Sequence, residues 1–170
     1  RDWSSDVCSS DLVARLAEAA AAFAAGSIAG AVVFAESVGK VLSPGFIDTH
    51  SHHEGGLADD PTALEAVSQG ITTIVTGQDG GSEIPLSKMF ATYTAKPVAI
   101  NIASYSGHNS IRSQVMGDDY KREATPAEIE KMRQLLADDM RAGALGLSTG
   151  LEYDPGIYSS RDEVLTLARE

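Results

Sequence analysis

Short apolar runs alternate with amphipathic stretches along residues 44–170, and this alternation predicts strands and helices in turn. The run at 71–76, ITTIVT, is β-branched throughout and is typical of a buried strand. The run at 96–104, KPVAINIAS, is largely apolar on both faces, which is typical of a sheet covered by helices. Two further strands are predicted at 46–50 and 144–149.

Helix-capping residues mark the segments between these strands. Asp60-Pro61 predicts the start of a short helix, with Asp60 as the N-cap. The sequence Thr125-Pro126-Ala127-Glu128 is a capping box followed by an apolar helical stripe, and Ser160 begins a last helix. Strands that alternate with helices predict βαβ units and a parallel sheet, as in a doubly wound sheet or part of a (β/α)8 barrel.

The chain divides into three regions by sequence character. Residues 1–12, RDWSSDVCSSDL, contain the only Trp and the only Cys and follow no helix or strand period. They resemble a translated sequencing-adapter scar, and we interpret them as an artefact, with a genuine disordered N-terminus as the alternative. Residues 13–43 predict an Ala-rich helix and short extended pieces, and residues 44–170 carry the strand–helix alternation.

Composition narrows the classes of function. A formal net charge of −11 in 170 residues argues against nucleic-acid binding, which requires basic patches. No apolar run approaches the roughly 20 residues that span a bilayer, so we expect no membrane association. A lone Cys8 cannot form an internal disulfide, which is compatible with a cytoplasmic location.

The stretch PGFIDTHSHHE, residues 44–54, contains three of the four histidines of the chain. Residues two apart on a strand point to the same face, so His50 and His52 project together while His53 points elsewhere. Two imidazoles at the C-terminal end of a strand suit zinc ligation, and Asp48 on the same face could support them. The alternative is a solvated loop that happens to be rich in histidine.

These residues also carry a family resemblance. PGFIDTHSH resembles the first metal-binding strand of the amidohydrolase superfamily. Four later stretches are similar, in order, to the D-aminoacylase (N-acyl-D-amino-acid deacylase) family: GITTIVTGQDG, ASYSGHNSIRSQVMG, TPAEIEKMRQLLADDMRAGALGLSTGLEYDPG and IYSSRDEVLTLA. The resemblance covers about residues 38–170.

The resemblance implies a (β/α)8 TIM barrel that hydrolyses non-peptide carbon–nitrogen bonds. It also implies a site that binds one or two divalent metal ions, expected to be Zn²⁺. The expected substrate is a small N-acylated D-amino acid, whose amide is cut by metal-activated water. Residues 44–170 would then form about the first four βα units, because a complete barrel needs about 250 residues. We therefore expect an N-terminal fragment that is inactive and poorly stable alone, since an open barrel exposes strand edges.

Specific roles also follow from the resemblance. His50 and His52 fall on the first two metal-ligand positions of the family. The family often has Asn-Cys-Gly after the second strand, with the cysteine as a ligand, where this chain has Gln78-Asp79-Gly80. Asp79 is thus a candidate ligand that favours less thiophilic metals, or else an ordinary residue of an Asp-Gly turn.

Weaker candidates lie after the third and fourth strands. His108 could line the substrate pocket or simply bond to loop backbone, and Arg112 could pair with the substrate carboxylate or form a structural ion pair. Glu152 is a candidate substrate-binding residue at the same end of the sheet. Tyr153 could donate a hydrogen bond to the scissile carbonyl, or only contribute packing.

Two other functions remain open at this point. One is a related enzyme of the same superfamily that hydrolyses a cyclic amide or a dipeptide. The other is a metal-binding or interaction protein without turnover. Neither composition nor spacing decides among the three.

Overall fold

The computed structural model describes residues 43–170. The chain divides into the units Arg1–Pro44 and Gly45–Glu170, and the fold described is that of the second unit. The predicted artefact at 1–12 and nearly all of the predicted segment 13–43 lie outside the described residues. These two assignments stay predictions.

Parallel strands form the centre of the described unit. Strands β1 (Phe46–Asp48), β2 (Ile71–Thr76) and β3 (Asn101–Ser104) make a three-stranded sheet in that order. Strands β4 (Ser106–Gly107) and β5 (Leu147–Ser148) make a second parallel pair.

The two sheets meet where β3 passes into β4. The Leu145 amide donates to the Ser104 carbonyl at 2.9 Å, and the Ser106 amide donates to the Gly146 carbonyl at 2.9 Å. The strands therefore lie beside one another in chain order, and the predicted α/β class with parallel strands is confirmed. No barrel closure is seen among residues 43–170, so the predicted partial barrel is not confirmed.

Helices follow the strands along the described chain. They are α1 (Leu64–Val67), α2 (Leu86–Ala95), α3 (His108–Met116), α4 (Pro126–Ala142) and α5 (Arg161–Leu167), with 3₁₀ turns at His53–Gly55, Gly117–Asp119 and Gly156–Tyr158. None of the helices within residues 43–170 is long and apolar enough to cross a bilayer. The cytoplasmic location and the expected lack of nucleic-acid and membrane partners remain predictions.

The predicted caps of the two later helices are present. Thr125 Oγ1 accepts from the Glu128 amide at 3.3 Å, while Glu128 Oε2 accepts from the Thr125 amide at 2.7 Å. Ser160 Oγ accepts from the Glu163 amide at 3.2 Å. These short-range bonds satisfy amides that a helix start leaves without partners.

The predicted cap of the first helix is wrong. Asp60 Oδ1 instead accepts from the amide and the hydroxyl of Thr62, at 3.0 and 2.6 Å, which closes a local turn. Helix α1 begins only at Leu64, after Ala63 in a left-handed conformation with φ 46°.

Two apolar clusters bury the helices against the strands. The first packs α1 against the sheet, and the second packs α3, α4 and α5 together. Their buried members are Leu57, Ala63, Ala66, Ile74 and Ile100 in the first, and Ile111, Met116, Met132, Leu136 and Leu167 in the second. The candidate site lies at the C-terminal ends of β1 and β2.

Candidate metal centre

The segment after β1 carries His50 and His52 on one side of the chain. The pairing of β1 with β2 continues past Asp48, because the Ser51 amide donates to the Val75 carbonyl at 3.0 Å. Ser51 is buried, whereas the imidazoles on either side of it are exposed, as alternation along an extended chain requires. The two rings lie 5.3 Å apart between centroids, with their planes at 65°.

Asp48 acts on the backbone of this segment. Its Oδ1 accepts from the His50 amide at 3.1 Å. It thus fixes the chain just before the first imidazole, which is a different contact from the support of the rings that the sequence suggested.

A tight turn after β2 brings a carboxylate to the two imidazoles. Gly77, Asp79 and Gly80 all have positive φ, at 76°, 54° and 80°. A Cβ atom at Gly77 would lie 2.2 Å from the Tyr105 carbonyl oxygen, so only glycine fits there. Asp79 Oδ2 lies 3.2 Å from His50 Nε2 and 3.2 Å from His52 Nε2.

The donor set and spacing fit a divalent cation. The three ligand atoms all lie within 4.8 Å of one another. Zinc ligands at about 2.0–2.1 Å in a tetrahedron are separated by roughly 3.3 Å, close to the carboxylate–imidazole distances here. The side chains of His50, His52 and Asp79 are 58, 60 and 43% exposed, so one side of the cluster is open. Their role as metal ligands stays a prediction.

Gln78 connects the two segments that carry the candidate ligands. Its Nε2 donates to the Thr49 carbonyl at 2.8 Å and to the Val75 carbonyl at 3.2 Å, and the residue is buried. One amide thus bonds the chain beside His50 to the end of β2. This contact could not be predicted from the sequence, since an amide in a glycine-flanked turn carries no local sign of its distant partner.

His108 and Arg112 form a buried cluster with Glu163, which matches the structural ion pair that the sequence allowed for Arg112. His108 begins α3 rather than lying in a loop, and both side chains are fully buried against Glu163. His108 Nε2 lies 2.9 Å from Glu163 Oε1, and an Arg112 guanidinium nitrogen contacts Glu163 Oε2. This geometry favours the structural ion pair over contact with substrate for Arg112.

The cluster of His108, Arg112 and Glu163 joins several parts of the chain. Arg112 also donates to the carbonyls of Tyr120, Arg122 and Tyr158. Burial disfavours ionisation of Glu163, but the hydrogen bonds from His108 and Arg112 outweigh it and hold its pKa below the usual value.

Glu152 and Tyr153 lie exposed on the loop after β5, Tyr153 with half of its surface accessible. This loop passes directly against the turn of Asp79: a Cβ atom at Gly150 would lie 2.1 Å from the Asp79 carbonyl oxygen. The structure therefore places both residues on a segment next to the candidate ligands. Their roles stay predictions.

A family model described as "Amidohydrolase family" matches residues 38–169. The chain belongs to the amidohydrolase family. The match spans the strands, the helices and all three candidate ligands.

Named relatives narrow the similarity within the family. The chain is 40% identical to N-acyl-D-aspartate deacylase and 36% identical to D-aminoacylase, both from Alcaligenes xylosoxydans xylosoxydans. Each comparison covers 77% of this chain but only 31% and 32% of the relative, so the chain spans about a third of their length. The resemblance to D-aminoacylases seen in the sequence is confirmed.

Solved structures show the same likeness in three dimensions. A D-aminoacylase described as having a binuclear metal centre matches with a TM-score of 0.68 and 35% identity, over 75% of this chain and 31% of that one. The N-acyl-D-glutamate deacylase of Bordetella bronchiseptica, complexed with zinc and a phosphonate inhibitor, matches with a TM-score of 0.71 and 34% identity. That match covers 74% of this chain and 31% of the other.

Proposed function

We propose that this chain is part of a metal-dependent amidohydrolase that hydrolyses the amide bond of N-acyl-D-amino acids. The observation that carries the proposal is the convergence of His50, His52 and Asp79 at the C-terminal ends of two parallel strands. The named deacylases among its relatives support the substrate class. We also propose that the parallel strands are part of a (β/α)8 barrel, in which catalytic residues cluster at this end of the strands.

Each of the three candidate ligands would supply one donor atom to the proposed zinc site. His50 and His52 would each hold the ion through Nε2 and Asp79 through Oδ2, since these atoms face one another. When bound, zinc supplies Lewis acidity toward an amide carbonyl and lowers the pKa of water at the site. Asp79 offsets part of the positive charge of the ion, and the exposed side of the cluster leaves room for a substrate.

The loop after β5 would serve the substrate. We propose that the Tyr153 phenol donates a hydrogen bond to the scissile carbonyl, where negative charge develops during attack. Glu152 would contact the amino-acid part of the substrate from the same loop. His108 and Arg112 would act from within the buried cluster with Glu163, by fixing the start of α3 beside the turn of Asp79.

Assays of the whole protein that contains this chain test the proposed reaction. We expect release of free amino acid from N-acetyl-D-aspartate, N-acetyl-D-glutamate or an N-acetyl-D-amino acid with an apolar side chain. The L enantiomers should react far more slowly. Equal rates for both enantiomers, or hydrolysis of cyclic amides alone, would contradict the proposed substrate class.

Neighbouring histidines give a matched set of variants. His50→Ala and His52→Ala should each reduce zinc content and turnover of the whole protein by orders of magnitude. His53→Ala should change neither, because the His53 ring lies 3.2 Å from Ser51 Oγ and outside the group of ligand atoms. Full zinc content in the double variant of His50 and His52 would exclude the site.

A further inference from the structure

A single hydroxyl group holds both sides of the turn that carries Asp79. Ser148, on β5, donates its Oγ proton to the Gly77 carbonyl at 2.5 Å. The same Oγ accepts from the Gly80 amide at 3.2 Å. The Ser148 hydroxyl thus bridges the residues that flank Gln78 and Asp79.

The turn has positive φ at Gly77, Asp79 and Gly80, so contacts from outside the turn help to hold its shape. Asp79, at φ 54°, lies in the left-handed region that Asp tolerates but most residues with a side chain avoid. Gly80 makes a second hydrogen bond through its carbonyl, which accepts from the Ser110 amide at 3.1 Å. Ser148 is the side chain that bonds both ends of the turn, and it comes from a strand 71 residues distant in sequence from Gly77.

We propose that Ser148 is a positioning residue for the metal ligand Asp79. The inference rests on the proposed function, because it assumes that Asp79 binds the ion. The Ser148 hydroxyl keeps the turn in the conformation that directs Oδ2 toward both imidazoles. Residues that orient metal ligands without touching the metal typically change its affinity by about 10- to 100-fold when removed.

Removal and restoration of the hydroxyl test this role. Ser148→Ala should weaken zinc binding by about 10- to 100-fold, measured by competition with a chromogenic chelator. Ser148→Thr keeps a hydroxyl on a residue suited to a strand and should restore most of the affinity. Thr149→Ala, at the neighbouring exposed position, is the matched control and should leave the affinity unchanged.

A double-mutant cycle separates positioning from general stability. In the Asp79→Asn background, Ser148→Ala should cause no further loss of zinc affinity, because the ligand that it positions is already lost. The absorption spectrum of bound Co²⁺ gives a second readout. It should change with Ser148→Ala and return with Ser148→Thr.

The outcomes distinguish this inference from the proposed function. If His50→Ala and His52→Ala weaken zinc binding while Ser148→Ala leaves it unchanged, the positioning role is refuted and the metal site stands. An equal loss in the wild-type and Asp79→Asn backgrounds also refutes it. If the histidine variants bind zinc as tightly as the wild type, the metal site itself is refuted.

Discussion

Asp79 lies in the Asp-Gly turn that the sequence offered as one alternative, and its role as a metal ligand, the other alternative, stays a proposal. It lies in a tight turn with positive φ, and its carboxylate also faces two imidazoles. Asp and Asn tolerate the left-handed region better than other residues with side chains, which reconciles the two roles. An aspartate at this position therefore suits the conformation of the turn and would also suit the proposed metal site.

The proposed role of Asp79 as a metal ligand predicts a change of metal preference when its donor atom is replaced. Asp79→Cys replaces a hard oxygen with a soft sulfur donor, so affinity for Cd²⁺ and Zn²⁺ should rise relative to Mn²⁺. Competition titrations with the three metals measure their relative affinities. Unchanged ratios of these affinities would show that position 79 does not contact the ion.

The left-handed conformation of Asp79 suggests a control variant. Asp79→Asn keeps a side chain that tolerates the left-handed region but removes the negative charge. Its unfolding midpoint should stay near that of the wild type while zinc affinity falls. A large loss of stability with unchanged affinity would assign Asp79 to the turn alone.

At the scale of elements, Gln78 couples the end of β2 to the segment that carries the histidines. Gln78→Met has similar size but leaves the Thr49 and Val75 carbonyls without this donor. Loss of a buried hydrogen-bond partner costs about 1–3 kcal/mol, and zinc affinity should fall as well. Urea unfolding and zinc competition measure the two effects.

A second glutamine provides the comparison. Gln69 also donates to a backbone carbonyl, that of Glu65 at 2.6 Å, but at an exposed site. Gln69→Met should therefore change stability little and zinc affinity not at all. Equal effects of the two substitutions would contradict the coupling role of Gln78.

The start of α4 predicts a purely local effect. Thr125→Ala removes the hydroxyl that accepts from the Glu128 amide and should lower the free energy of unfolding by about 1 kcal/mol. Thr125→Ser should retain most of this stability, and zinc affinity should be unaffected by either change. Urea denaturation with metal titration distinguishes these outcomes.

The same contrast explains which elements the sequence could predict. The capping box of α4 uses residues three apart, so the sequence contains both partners. Helix α2 begins after Pro85 without a side-chain cap of its own, and the Leu86 amide donates to Asp139 at 2.8 Å. That partner comes from α4, far along the chain, and α2 was therefore not predicted from the sequence.

Part of the candidate site could also be predicted from local sequence, and part of it depends on contacts between distant residues. The strand period alone places His50 and His52 together, because alternate residues share a face. The meeting of Asp79 with them depends on a turn held by Ser148 and on the bonds of Gln78. Such distant contacts leave no pattern in the local sequence.

At the scale of the whole unit, Glu163 joins α5 to α3 through buried charges. Because the pKa of Glu163 is lowered on folding, the ionised carboxylate stabilises the folded state at pH values above 4.5, its ordinary pKa. That stability should be lost as the pH falls through the lowered pKa of the folded state. The urea midpoint measured between pH 7 and pH 3 follows this loss.

Replacement of the carboxylate tests the assignment. Glu163→Gln leaves the Arg112 guanidinium buried without its counter-charge and should cost about 3–5 kcal/mol at neutral pH. The difference from the wild type should shrink toward pH 3. Glu130→Gln, in an exposed pair with Arg133, should cost far less, and parallel pH curves for Glu163→Gln and wild type would contradict the prediction.

The glycine-flanked turn has a consequence for the evolution of this site. Its shape depends on Gly77, Gly80 and the hydroxyl of a distant strand, and on a residue at its tip that tolerates positive φ. A few nucleotide substitutions at codon 79 could thus exchange one donor atom for another while the surrounding backbone keeps its course. Metal choice in such a scaffold can diverge among descendants independently of the fold that they inherit.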